Sequence, residues 1–232
     1  MSARVHLLTG AGSGIGACVA DALHARGDEL VLLARSVERA HVLLQRYDGA
    51  RVVVADLADP AHLEHALAGA NLPPHLDSVL HVAGVVDLST AHDLTHDEVR
   101  AQLDVNLVAP MLLTGLCLPA LRAARGTVVF VNSGAGLNAH PTWGAYAASK
   151  FGLRGFADAL RGEEASHGVR VTSVFPGRTA TPMQEKVHEQ EDAAYDAERW
   201  IQPETVAATI LHVLDLPRDA AMPEISVRPG PR

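Results

Sequence analysis

The 232-residue chain is 48% hydrophobic and 20% charged, the composition of a folded protein and not of a disordered one, and its length suits one α/β domain over residues 1–232. A net charge of −8 argues against nucleic acid or an anionic membrane surface as a general partner. No apolar stretch of signal-peptide length precedes the first glycines, no run approaches the ~20 apolar residues of a membrane helix, and Cys18 and Cys117 read as buried thiols, so a cytoplasmic setting is expected.

Short β-rich runs alternate with longer helical patterns. The first, RVHLL (4–8), leads into TGAGSGIG (9–16) and the helical run ACVADALHARG (17–27). Gly10, Gly14 and Gly16 permit a tight turn there, and the following helix offers unpaired N–H groups to a pyrophosphate. Next come ELVLLA (29–34) and RVVVA (51–55), then Asp59 followed by Pro60, an N-cap with proline at N1. SVLHVA (78–83) is the fourth strand, and Thr95 to Glu98 fits a capping box opening a helix over about 96–122. GTVVFVN (126–132) precedes a helix near 145–167, and VRVTSVF (169–175) precedes the polar, acidic stretch 178–202, which fits nothing regular. A last helix and EISVR (224–228) close the series. Continuously apolar strands separated by helices imply a doubly wound sheet of seven mostly parallel strands with helices on both faces. A long insertion at a strand's carboxyl end, here 178–202, reads as a substrate loop or lid.

WGAYAASKFG (143–152) places Tyr146 and Lys150 one helical turn apart. Of 19 basic residues only Lys150 and Lys186 are lysine, so lysine at 150 suggests a task that arginine's wide fork cannot perform. A ketone that accepts hydride develops alkoxide charge and needs a proton donor within reach. A phenol of pKa ~10 suits both directions near neutrality only if lowered by about 3 units, and a lysine cation one turn away supplies part of that.

At these residues the chain resembles the short-chain dehydrogenase/reductase family over nearly its whole length. TGAGSGIG matches that family's TGxxxGIG loop and YAASK (146–150) its YxxxK. Ser133 stands thirteen residues before the tyrosine, Asn106 lies in DVNLVAP, and PGRTATP (176–182) matches PG-x-x-x-T. The resemblance implies a Rossmann-type fold, a nicotinamide cofactor and reversible hydride transfer to a small-molecule carbonyl or secondary alcohol. It implies four catalytic residues: Tyr146 as acid–base, Lys150 also bonding a ribose hydroxyl, Ser133 holding the carbonyl oxygen, and Asn106 keeping a water in line with Lys150. It implies cofactor contacts at Gly10, Gly12, Ser13, Gly14, Ile15 and Gly16 in the loop, and at Asp56, Leu57, Ala83 and Gly84 beyond the third and fourth strands. Pro176, Gly177, Thr179 and Thr181 complete them, with Thr181 meeting the carboxamide. Val82 departs from the family's usual asparagine, which puts local packing in question, not catalysis.

In such a fold the second strand ends beside the adenosine ribose, where an acidic residue selects NAD(H) and a nearby arginine admits the phosphate of NADP(H). Here Ala34 fills the acidic position and Arg35 follows, with Ser36 and Arg39 close behind, so NADP(H) is expected over NAD(H). Leu107, Leu112, Leu116, Phe151, Phe156 and Leu160 give the two long helices apolar residues on more than one face, which predicts a homodimer or homotetramer. His92 and His96 lack the partners of a metal site, and none is expected. Trp143 either walls the substrate pocket or packs on the sheet; Tyr195 and Trp200 either close over substrate, anchor their segment or contact a partner. Two alternatives stay open: a non-catalytic regulator that senses the cofactor, and a 3-oxoacyl thioester reductase, the latter disfavoured by the acidic 178–202 stretch.

Overall fold

The computed structural model describes residues 3–231; Met1, Ser2 and Arg232, at the ends of the expected domain, lie outside the described residues. Seven strands form one sheet: β1 (Val5–Thr9), β2 (Glu29–Ala34), β3 (Arg51–Val54), β4 (Ser78–His81), β5 (Thr127–Val131), β6 (Arg170–Pro176) and β7 (Glu224–Val227). Their order is β3-β2-β1-β4-β5-β6-β7, and every pairing is parallel, so the expected "mostly parallel" sheet is wholly so. Strand order reverses between β1 and β4, which opens a crevice at the carboxyl ends of those strands.

Alternation along each strand divides the apolar residues between two cores. Leu7, Val31, Leu33, Val128 and Phe130 face α3 (Leu63–Ala68), α5 (Ala109–Ala124) and α6 (Gly144–Glu164). Leu8, Leu32, Val129, Val131 and Val174 face α1 (Gly14–Ala25), α2 (Val37–Arg46) and α8 (Pro203–Asp215). Because both faces are covered, the strands read as unbroken apolar runs.

α4 (His96–Leu103) begins at the Thr95–Glu98 capping box, with both reciprocal bonds present. It runs through a π-helical turn, Asp104–Val108, into α5, making one continuous helix from His96 to Ala124. That helix is 29 residues long with a mean hydropathy of 1.7 over its most apolar window, so contrary to expectation one segment is long and apolar enough to cross a membrane. Its inner side, through Leu113, Cys117 and Leu121, packs in the core, while Met111, Leu112 and Leu116 are exposed. Glu164 of α6 is almost inaccessible and accepts two hydrogen bonds, 2.8 and 2.6 Å, from Arg122 of α5.

Four local expectations are corrected. Asp59 is the N-cap residue before Pro60, as expected, but of a short 3-10 turn, and its carboxylate pairs with His62 at 2.5 Å without making a capping bond. Cys18 is half-buried, near Glu204, while Cys117 is buried as expected. Of the two-faced apolar set, Leu160 is buried and Leu107 and Phe156 pack against the core, which leaves Leu112, Leu116 and Phe151 exposed. The stretch 178–202 is not irregular: it holds α7 (Pro182–Gln190), capped by Thr181, whose hydroxyl oxygen accepts from the Gln184 amide.

Candidate active site

A cavity of about 1310 Å³ occupies the crevice, larger than the ~300–1,000 Å³ of a drug-sized pocket and roomy enough for two ligands at once. One end is made by the β1–α1 loop. Gly10 has φ +80°, and a β-carbon there would stand 2.8 Å from the Ala83 amide nitrogen. At Gly16 a β-carbon would meet the Gly10 carbonyl oxygen at 2.1 Å, so the loop folds back on itself only without side chains. Gly12 faces open space, and α1 has no acidic residue in its first turn and no side-chain bond from its cap, Ser13. Its first N–H groups are therefore left for an anion. Ile15, Ala34, Arg35, Arg39, Asp56, Leu57 and Ala83 line the same cavity, and Gly84 lies in its wall beside Lys150. Arg35 and Arg39 are exposed, and among the described residues neither forms an ion pair. Asp56 lines the wall and accepts from the Ala58 amide at 2.9 Å.

At the other end lie Ser133, Tyr146, Lys150, Pro176, Gly177, Thr179 and Thr181. Ser133 follows β5, and its oxygen accepts from the Ala135 amide at 3.1 Å. Tyr146 and Lys150 are buried, with Nζ 5.7 Å from the tyrosine ring centre and donating to the Val131 carbonyl at 3.0 Å. Burial lowers the Lys150 pKa to about 8. Burial also raises that of Tyr146, with the Ser133 hydroxyl pulling the other way. In the protein alone desolvation outweighs the Ser133 hydrogen bond, so the phenol holds its proton more tightly than an exposed tyrosine does.

Two expected residues stand off the wall. Ser36 caps α2, accepting from the Arg39 amide at 3.3 Å. Asn106, in the π-helical turn, accepts from the Val85 amide (2.9 Å) and donates to the Val85 carbonyl (2.8 Å) and Ser149 Oγ (3.1 Å). Its Oδ1 and Lys150 Nζ flank the space over Gly84, 3.2 and 3.7 Å from where a β-carbon would be. Val82 leaves no gap in the packing it was expected to weaken: the Thr9 hydroxyl accepts from both the Val82 and Ala83 amides at 3.1 Å.

Asn132, Arg178 and Glu191 were not singled out from sequence. Asn132 joins β5 to α6, donating to the Lys150 carbonyl (3.0 Å) and accepting from the Ser133 amide (2.8 Å); an asparagine ending an apolar strand was the available signal. Arg178 makes two 2.7 Å bonds to Glu191 and lies over the rings of Trp143 (5.9 Å) and Trp200 (5.4 Å). Trp143 lines the cavity, edge-on to Tyr146 at 5.7 Å. Tyr195 and Trp200 both pack on His188, at 5.3 Å, and so anchor α7. Lys186 ties α7 to Asp87 at 2.5 Å. Among the described residues no three His, Cys, Asp or Glu side chains converge to hold a metal.

A doubly wound sheet with a glycine cradle at its switch point, facing a buried tyrosine and lysine, defines a dinucleotide-dependent oxidoreductase. The family model for short chain dehydrogenases matches residues 4–192. An uncharacterised short-chain type dehydrogenase/reductase of Sinorhizobium fredii is 32% identical, over 97% of this chain and 91% of that one. Glycine betaine reductase of Emericella nidulans is 34% identical over 99% of this chain, which spans 19% of that protein's length. Among solved structures, a short-chain dehydrogenase from Streptomyces avermitilis superposes with TM-score 0.85 and 27% identity, covering 99% of this chain and 89% of that one. An alcohol dehydrogenase from Thermococcus sibiricus, complexed with 5-hydroxy-NADP, gives 0.83 and 25%, covering 97% and 96%. The chain belongs to the short-chain dehydrogenase family, and its chemistry is that of an alcohol–carbonyl oxidoreductase.

Proposed function

We propose that the protein is an NADP(H)-preferring reductase of small carbonyl compounds, running reversibly as a secondary-alcohol dehydrogenase. The observation that carries this is the pairing of the two cavity ends: Ser133, Tyr146 and Lys150 at one, and Arg35 beside a missing carboxylate at Ala34 at the other. The nicotinamide cofactor, when bound, supplies or accepts the hydride. The glycine loop and the first turn of α1 suit its pyrophosphate, Arg35 and Arg39 a 2′-phosphate, and Thr179 and Thr181 its nicotinamide end.

In reduction, Tyr146 donates its proton to the substrate oxygen, which the Ser133 hydroxyl holds. Burial keeps that proton on the phenol at neutral pH, which favours the reductive direction. The Lys150 ammonium lowers the cost of the tyrosinate left behind. Asn106 acts as a positioning residue, and the space between its Oδ1 and Lys150 Nζ is where a water would relay the proton outward. The stretch 178–202, with α7 latched at Asp87 and Glu191, serves as the substrate lid, within one domain spanning 1–232. Exposed Met111, Leu112, Leu116 and Phe151 form the face on which a second copy seats, giving a dimer or a tetramer built from it. The two free cysteines agree with a reducing, cytoplasmic setting.

The test is consumption of NADPH and NADH by the purified protein with ketones, diketones, quinones and acyl thioesters. Oxidation of neither cofactor with any of them, despite tight binding, would support a cofactor-sensing regulator instead.

A further inference from the structure

Five cationic side chains line the cavity, Arg35, Arg39, Lys150, Arg178 and Arg228, against two carboxylates, Asp56 and Glu191, in a chain whose net charge is −8. Arg35 and Arg39 lie at the adenosine end, and Glu191 neutralises Arg178 through two 2.7 Å bonds. Arg228 is left over. Among the described residues its guanidinium takes part in no ion pair and no hydrogen bond, although it stands in the cavity wall.

Arg228 is exposed, as an unpaired arginine usually is, but its backbone is held in place beside the cavity. β7 pairs Val227 with Pro176, and the Gly177 amide donates to the Val227 carbonyl at 2.8 Å, fixing the backbone just before it. Pro229 follows, its Cδ 3.1 Å from where a β-carbon on Gly177 would be, and a following proline restricts Arg228 to extended backbone. Directly beside its guanidinium is Gly134, the residue after Ser133. A β-carbon there would lie 2.6 Å from Arg228 Nη1, so the guanidinium reaches the Ser133 turn in the space that glycine leaves open.

We propose that Arg228 binds a carboxylate on the substrate whose carbonyl oxygen is held by Ser133 and Tyr146, which makes the substrate class short keto acids and the corresponding hydroxy acids. A guanidinium presents two parallel N–H donors that match a carboxylate's two oxygens, and the one acid of this wall, Glu191, is already committed to Arg178. The proposal rests on the roles given above to Ser133 and Tyr146.

The test compares acetoacetate and 4-oxopentanoate with their methyl esters. The protein should favour each acid over its ester by roughly tenfold or more in kcat/KM, mainly through KM. Arg228→Met should collapse that ratio toward one, and Arg228→Lys should restore part of it. The same ratio should appear without turnover, as calorimetric affinities of acid and ester for the protein loaded with NADP+, and should vanish in Arg228→Met. Equal handling of acid and ester by the native protein, or an unchanged ratio in Arg228→Met, would overturn the assignment while leaving the reductase reading intact. A protein that neither binds cofactor nor reduces any of the four compounds would instead remove the reading on which it rests.

Discussion

At the nucleotide end of the cavity the walls are mostly backbone: a loop that closes on itself at Gly10 and Gly16, a helix start, and strand ends where Ala34 and Ala83 stand. At the substrate end they are side chains drawn from distant stretches, with Ser133 after β5, Trp143 before α6, Arg178 and Glu191 flanking α7, and Arg228 after β7. The first end is shaped by backbone geometry that tolerates no β-carbon at Gly10 or Gly16. The second holds its shape through ion pairs and ring contacts, each of which one substitution can change. Main chain therefore shapes most of one end, and side chains most of the other.

The largest effect tests where the two ends meet. Tyr146→Phe should lower turnover at least ~100-fold while NADPH still binds, because no neighbouring group can replace its proton. Near-normal turnover would separate the chemistry from this junction. Lysine's charge at the same point can be followed with pH. Lys150 is cationic below its pKa of about 8 and neutral above it. So kcat/KM for reduction should hold level up to that pH and then fall by up to about tenfold per unit. A break near the ordinary lysine value of ~10.4 would show that burial does not govern it.

Arg35→Ala addresses the nucleotide end alone. It should remove a preference for NADPH over NADH of about ten- to a hundredfold, leaving NADH kinetics and substrate range little altered. Equal efficiency with both cofactors in the native protein would show that Arg35 does not read the phosphate. The smallest effect belongs to the substrate end. Glu191→Gln frees Arg178 between Trp143 and Trp200, and should raise substrate KM a few-fold without moving the cofactor Kd. For a partly exposed pair worth about 1 kcal/mol, Tm should drop by roughly 2–4 °C. A change in cofactor affinity instead would mean that the two ends are not independent.

The same contrast governs what could be read from sequence. The strands were legible because both faces are buried, and the cradle because glycine spacing after a strand has few other uses. Tyr146, Lys150 and Ser133 were legible as a spaced set, and they line one cavity. α7 was not: PMQEKVHEQ has little apolar periodicity, and its order comes from Lys186 on Asp87 and from Tyr195 and Trp200 packed at an angle on His188. Its cap and first proline, Thr181 and Pro182, were present but were read only as a motif. Arg228 carries no local signal, since its place depends on β7 joining the sheet beside β6 and on a missing side chain at Gly134. Around Tyr146, spacing reports the lysine but not the burial that raises the phenol's pKa.

The π-helical turn at Asp104–Val108 bears on descent as well as on shape. Such a turn is an α-helix carrying one extra residue, and each residue rotates the helix by about 100°. Deleting one position between 104 and 108 would heal the helical ladder, yet swing Asn106 away from Val85 and Ser149. Lineages of this protein should therefore accept exchange of residues in that turn while keeping its length, as though an ancient insertion had become too useful to lose.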